Sequence, residues 1–160
     1  MKTVICPGSF DPVTKGHMDI IERASRLFDK VVVAVLNNSS KNPSFTIEER
    51  IGLLKETTTH LENIEIETFD GLLVDFAKIK GASAVVKGLR AVTDFEYEFQ
   101  MSMINKKLCP EVETIFLNTS QEYMYLSSSV VKQIAAAGGD ISLFVPEEIR
   151  DKIVDRLLNI

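Results

Sequence analysis

Between Pro7 and His17 the chain reads Pro7-Gly8-Ser9-Phe10-Asp11-Pro12-Val13-Thr14-Lys15-Gly16-His17. A glycine, a hydroxyl and a histidine in so short a span suit phosphate chemistry. Gly8 lets backbone approach a ligand, and Ser9 offers a hydroxyl. His17 falls at an expected helix start, where free N–H groups and the helix dipole favour anions. A histidine there can donate hydrogen bonds to a phosphate. The structural alternative is an ordinary turn with a capping histidine, but three such residue types packed together favour a functional role.

Other segments offer further groups. Lys87-Gly88-Leu89-Arg90 places two cations around a glycine. That is a cradle for a phosphate and a nucleotide, or equally a turn with two surface charges. Asp94 and Glu98 are four apart and share a helix face. Such a pair can bind metal or do acid–base work, and more often it is a solvated face or caps a helix start electrostatically. Tyr123-Met124-Tyr125-Leu126-Ser127-Ser128-Ser129 ends in three serines before a helical pattern. Capping needs one serine, and the surplus favours an anion site at the helix N-terminus. Lys41, in Asn37-Asn38-Ser39-Ser40-Lys41-Asn42-Pro43, reads alone as a solvated charge. Leu73 and Val74 read as helix core, and His60 as a surface or capping residue. Cys6 and Cys109 fit no metal spacing and read as reduced, buried thiols.

Short β-rich runs alternate with helical periodicity. Strands are expected at 3–6, 31–36, 64–68, 84–87 and 113–117. The second, Val31 to Leu36, is continuously apolar, as in strands buried on both faces of a parallel sheet. Helices are expected from about Gly16, with Ile20, Ile21, Ala24, Leu27 and Phe28 at helical spacing, and from Thr46 to about Thr59. Others run over 72–80, from Thr93 to about Lys107, over 128–137, and from Pro146 to the end. The last carries Ile149, Ile153, Val154, Leu157 and Leu158 on one face. Thr46-Ile47-Glu48-Glu49 and Thr93-Asp94-Phe95-Glu96 have the capping-box form, and Gly138-Gly139 is a C-terminal stop. This order predicts an α/β fold: a doubly wound, Rossmann-like, five-stranded parallel sheet with helices on both faces. In such folds ligands bind at the carboxyl ends of the strands. The loops that follow strands, where chemistry is expected, span 7–16, 37–45, 69–71, 88–93 and 118–128.

Composition bounds the answer. A chain of 160 residues, 45% hydrophobic and 26% charged, reads as one globular domain over 1–160. Folding buries ~70% of the surface that an unfolded chain of this size exposes, without staples. The net charge of −5 leaves no broad basic surface for nucleic acid or an anionic membrane. The N-terminal apolar run stops at Pro7, too short for a signal peptide, and no run is long enough for a membrane span. A soluble protein of a reducing, cytoplasmic compartment is expected.

Gly8-Ser9-Phe10-Asp11-Pro12 followed by Thr14-Lys15-Gly16-His17 resembles the nucleotidylyltransferase signature, in the T-x-G-H form of its H-x-G-H motif. Over essentially the whole chain the sequence is similar to the phosphopantetheine adenylyltransferase family of bacterial coenzyme A synthesis. The resemblance implies adenylyl transfer from ATP to 4′-phosphopantetheine, yielding dephospho-coenzyme A and pyrophosphate, with Mg2+ and as a homohexamer. Dephospho-coenzyme A and coenzyme A are the implied further ligands. By the same resemblance His17 stabilises the transition state. Ser9, Phe10, His17, Gly88, Leu89, Arg90, Glu98 and Tyr123, Met124, Tyr125, Leu126, Ser127, Ser128 and Ser129 contact ATP. Ser9, Lys41, Leu73 and Lys87 contact the acceptor, and Asp94 orients Arg90. Many members carry arginine where Lys87 stands; lysine keeps the charge and loses the bidentate fork. Transfer is expected to be direct and in line. The acceptor phosphate is already an anion near neutral pH, Ser9 has no paired base, and both cysteines fall outside the motifs. The rival readings are a nucleotidylyltransferase for a nicotinamide or glycerol phosphate acceptor, and a non-catalytic sensor of ATP or coenzyme A.

Overall fold

The computed structural model describes residues 1–37 and 42–159, with residues 92 and 93 described in their backbone. Five strands alternate with helices: β1 (Thr3–Gly8), α1 (Lys15–Leu27), β2 (Lys30–Leu36), α2 (Ile47–Thr57), β3 (Ile64–Phe69), α3 (Leu73–Ile79), β4 (Ala84–Leu89), α4 (Val92–Leu108), β5 (Glu113–Asn118), α5 (Ser128–Ala136) and α6 (Glu147–Leu158). A short 3-10 turn, Gln121–Tyr123, precedes α5. All strand pairs are parallel, in the order β3-β2-β1-β4-β5. The chain therefore winds outward from β1 to β3, then crosses back to β4. The switch in strand order falls between β1 and β4, where a ligand crevice is expected.

Burial follows the pleat. Val31, Val33 and Val35 of β2 join one apolar cluster with Ile20, Ile21 and Ala24 of α1, Leu53 and Leu54 of α2, and Ile149, Ile153 and Leu157 of α6. Val32 and Ala34 join another with Val74, Phe76 and Ala77 of α3. The continuous run in β2 is thus covered on both faces, as its composition implies. Cys6 and Cys109 are free and buried. No helix among the described residues is long and apolar enough to cross a membrane.

Several boundaries differ from the sequence reading. β1 runs two residues past Cys6, because Pro7 and Gly8 still pair with Ala34 and Val35 of β2. β4 likewise runs two residues past Lys87, with Gly88 and Leu89 paired to Leu117 and Asn118 of β5. The Thr46 capping box forms as expected, with Glu49 N–H donating to Thr46 Oγ1 and Thr46 N–H to Glu49. The expected box at Thr93 does not: α4 begins at Val92 with Ala91 as its N-cap. Asp94 lies in the first turn there and pairs with Arg90. Leu27 and Leu158 are exposed, each at the last residue of its helix. Gly138, at φ +79°, ends α5 in the left-handed conformation that glycine adopts without Cβ cost.

Two buried charges tie the loops to this frame. Arg50 of α2, 4% exposed, donates Nη1 to Ser9 O (2.8 Å) and Leu36 O (3.3 Å), and Nε to Thr46 O (3.3 Å). It joins the segments that leave β1 and β2 to the start of α2. Asp11 accepts from Phe45 N–H (2.8 Å), Ser44 N–H (3.0 Å) and Lys132 Nζ (2.9 Å) of α5. Replacing Arg50 by methionine removes the donors to Ser9 O and Leu36 O, while Thr46 O keeps the backbone N–H of residue 50. The expected loss is about 3 kcal/mol, each stranded buried acceptor costing ~1–3 kcal/mol less any relaxation. Urea unfolding of Arg50→Met checks this, and an unchanged midpoint at unchanged slope would contradict it.

Candidate active site

β1 and β4 form the crevice by parting. They pair at Val4–Ala84 and Ile5–Val85 and no further. Pro7, with no N–H to give, lies just beyond the last rung. Cys6, Pro7 and Gly8 on one side and Val86, Lys87 and Gly88 on the other then line a cavity of about 280 Å3. Burial pushes the Cys6 thiol up to about 12, so it stays protonated. Gly88 is required by packing as much as by any ligand: a Cβ there would stand 2.8 Å from Ile20 Cγ1 of α1. At Gly8 a Cβ would stand 3.0 Å from the Phe10 ring. Phe10 is buried with φ 49°, and its ring meets the His17 imidazole edge-on at 5.0 Å between centroids.

His17 opens α1. Thr14 is the N-cap, and its Oγ1 accepts from His17 N–H at 3.3 Å. In return the His17 side chain faces Thr14: Nδ1 accepts the Thr14 backbone N–H at 3.0 Å and lies 3.2 Å from Thr14 Oγ1. An amide N–H can only donate, so Nδ1 carries the lone pair and a neutral ring bears its proton on Nε2. Burial, then the Arg90 charge, lower the His17 pKa to about 4. The ring is therefore neutral at physiological pH. Nε2 makes no hydrogen bond among the described residues, and no buried side-chain nitrogen or oxygen there lacks a partner. It opens onto the cavity that His17 lines.

Four charged residues at the end of β4 and the start of α4 are arranged in pairs. Arg90 Nε donates to Asp94 Oδ2 at 3.0 Å, and its Nη1 donates to Leu126 O at 2.9 Å. Lys87 Nζ stands 3.2 Å from Glu98 Oε2. The carboxylates four apart thus each hold one of the two cations. Among the described residues no three His, Cys, Asp or Glu side chains are placed to bind a metal ion.

The serine segment differs in detail from its sequence reading. Ser127 Oγ accepts from Val130 N–H as the N-cap of α5. Ser128 Oγ donates to Pro12 O at 2.7 Å. Two of the three hydroxyls are therefore used in structure. The anion site expected of this segment would therefore rest on the Ser129 hydroxyl and the Ser128 and Ser129 amides, since Ser127 already takes the Val130 N–H. The segment is steered there from α1: Ser120 Oγ donates to Asp19 Oδ2 at 2.8 Å, and Arg23 Nη1 to Asn118 O at 2.7 Å.

A second, wider cavity of about 730 Å3 adjoins the first. Phe10, His17, Lys87, Arg90, Glu98 and Ser128 border both. Gly88, Tyr123, Leu126 and Ser127 line the smaller one alone, and Ser9, Leu73 and Ser129 the larger one alone. Leu89, Met124 and Tyr125 line neither, and the last two are exposed. Lys41 lies outside the described residues. Val74 is core and His60 pairs with Glu22 at the surface, as read. Sequence reasoning missed Asp11, Arg50 and Lys132. Asp11 stood in the quoted motif without a role; Arg50 and Lys132 sit in helices where nothing local marks them.

A cytidylyltransferase-like family model matches residues 5–134. The chain is 59% identical to the phosphopantetheine adenylyltransferase of Caldanaerobacter subterraneus, over 98% of each chain. It is 57% identical to that of Alkaliphilus metalliredigens, over 92% of this chain and 94% of the other. A solved structure titled a putative nicotinate-nucleotide adenylyltransferase from Vibrio parahaemolyticus superposes with a TM-score of 0.71 over 99% of this chain and 93% of its own, at 19% identity. That likeness speaks for the fold. With more than half of its residues shared with such relatives end to end, this chain belongs to the phosphopantetheine adenylyltransferase family, within the cytidylyltransferase-like proteins.

Proposed function

We propose that the protein transfers the adenylyl group of ATP to 4′-phosphopantetheine, giving dephospho-coenzyme A and pyrophosphate. The observation that carries this reading is the pair of cavities with one shared wall containing His17, Lys87, Arg90 and Glu98. Two substrates seated one in each cavity meet beside His17. The smaller cavity, with Arg90 and the start of α5, suits a nucleotide. The larger, with Leu36, Phe69 and Leu73 on one wall and Lys87 on another, suits a phosphate on an extended, partly apolar arm. The names of the relatives support phosphopantetheine as that acceptor.

The chemistry is one displacement. An oxygen of the acceptor phosphate bonds to the α-phosphorus while the bond from that phosphorus to the bridging oxygen breaks, and pyrophosphate leaves with the electron pair. The acceptor is anionic near neutral pH and needs no strong base. His17 donates its Nε2–H to the α-phosphoryl as negative charge gathers there, a preorganised contact that needs no rearrangement at the moment of reaction. It is no nucleophile in this tautomer, since its lone pair is on Nδ1, facing Thr14. Ser9, Lys41 and Lys87 orient the acceptor, with Leu73 along its arm. Ser9, Phe10, Gly88, Leu89, Arg90, Glu98 and residues 123–129 hold ATP and the departing pyrophosphate. Mg2+ would supply charge neutralisation at the phosphates and would take few ligands from the protein, because Asp94 and Glu98, the carboxylates that line the smaller cavity, already hold Arg90 and Lys87.

The same reading includes a homohexamer in a reducing, cytoplasmic compartment. The two free cysteines fit such a compartment. Phe95, Phe99, Met103, Ile104 and Leu108 of α4 stand open to solvent, an apolar face of the kind that a second copy covers. Sedimentation equilibrium should give six copies, and a monomer at working concentration would remove the assembly.

Pyrophosphate release from ATP, measured with a panel of phosphorylated acceptors, tests the activity. Release with phosphopantetheine alone is expected. Release with nicotinate mononucleotide or glycerol phosphate instead, or with no acceptor at all, overturns the assignment. His17→Ala should lower kcat by ~10²–10³ with little change in the KM for ATP. A higher KM at unchanged kcat would contradict the role given to His17.

A further inference from the structure

We infer that Thr14 is a positioning residue for the reaction: its hydroxyl and its amide together orient the His17 ring and keep its proton on Nε2. This rests on the role proposed for His17. The reciprocal pair that starts α1 is a capping box with a histidine in the third position, where glutamate or glutamine is usual. In an ordinary capping box the side chain at that position only satisfies a helix amide. Here it is also the ring that lines both cavities, so one set of contacts opens the helix and orients the donor.

The hydroxyl works in both directions. Thr14 Oγ1 accepts from His17 N–H at 3.3 Å and stands 3.2 Å from Nδ1, within reach to donate its own proton there. Thr14 is 2% exposed, so its own surface offers solvent little access to either bond. The backbone N–H alone, at 3.0 Å, holds one atom of the ring and leaves it free to swing about that contact. The hydroxyl supplies a second point, and the Phe10 edge contact a third. A ring held at three places presents Nε2–H in one direction. That is what a transition-state contact needs and what a merely bound ligand does not.

Thr14→Val keeps the shape and removes the hydroxyl; Thr14→Ser keeps the hydroxyl. The valine variant is expected to lose ~10–100-fold in kcat, the scale of a displaced donor, with KM for ATP and phosphopantetheine within about twofold of the parent. The serine variant should restore most of the loss. Imidazole nitrogen NMR of the substrate-free protein gives a readout independent of activity. In the parent, His17 Nδ1 should resonate as the unprotonated nitrogen and Nε2 as the protonated one; in Thr14→Val the backbone amide still favours that tautomer, and both nitrogens should shift from their parental positions as the ring loses its contact with the hydroxyl. Should the valine variant fail to fold, the parent spectrum and the serine variant still decide the matter. A parent with Nδ1 protonated, or a folded valine variant with parental kcat and spectrum, overturns the inference. Because the spectrum needs no substrate, absence of any adenylyl transfer would sink the proposed function and leave only the ring's tautomer and its dependence on Thr14 standing, whereas a parental spectrum in the valine variant would sink the inference and leave the proposed function.

Discussion

Strands β1 and β4 share two rungs, Val4–Ala84 and Ile5–Val85, and then run on without pairing. Each stays bonded on its outer side, β1 to β2 through Gly8 and β4 to β5 through Leu89. The sheet is therefore held firmly around an opening at its own centre. A backbone that gives up pairing must find other partners for its polar groups or leave them to a ligand or solvent. That opening lies at the switch in strand order, with the first helix rising from one side and the start of α4 from the other. It is where Lys87, Arg90 and His17 converge.

Keeping such an opening in shape requires groups that bridge the loops around it. Arg50 and Asp11 do so from within the protein: the first binds three carbonyls, the second two amides and Lys132. The cations facing the cavity are held by Asp94 and Glu98. These pairs hold the long side chains in place before any substrate arrives, which limits the ordering entropy left for binding. A neutral histidine completes the set. Arg90 and burial together keep it uncharged, so the cavity carries one fixed donor there whose protonation does not change near neutral pH.

The alternation of strands and helices, the buried β2 run and the first loop were legible because each is a local pattern. Period-two and period-3.6 burial show in a window of a few residues, and Pro7 to His17 places its functional groups within one turn. The strand order was not legible, since nothing within a single strand says which other strand will neighbour it. The ends of β1 and β4 were missed for a related reason: Pro7-Gly8 and Gly88-Leu89 look like the start of turns until ladders with β2 and β5 hold them extended. Thr93 had the right spacing for a cap, but Arg90 holds Asp94 into an earlier helix start. Arg50 and Lys132 gave no signal, because their acceptors on other elements, Ser9, Leu36 and Asp11, come close only in the fold. The serines were read for their hydroxyls, two of which the loop itself consumes.

The central claim is that two substrates meet directly beside a histidine that donates a hydrogen bond and does not attack. Its most direct test is the stereochemistry at phosphorus. With ATP made chiral at the α-phosphorus, a single in-line displacement inverts configuration in the product, and passage through an adenylylated enzyme retains it. The account predicts inversion. Retention would contradict it and place the adenylyl group on the protein, with His17 as the first candidate.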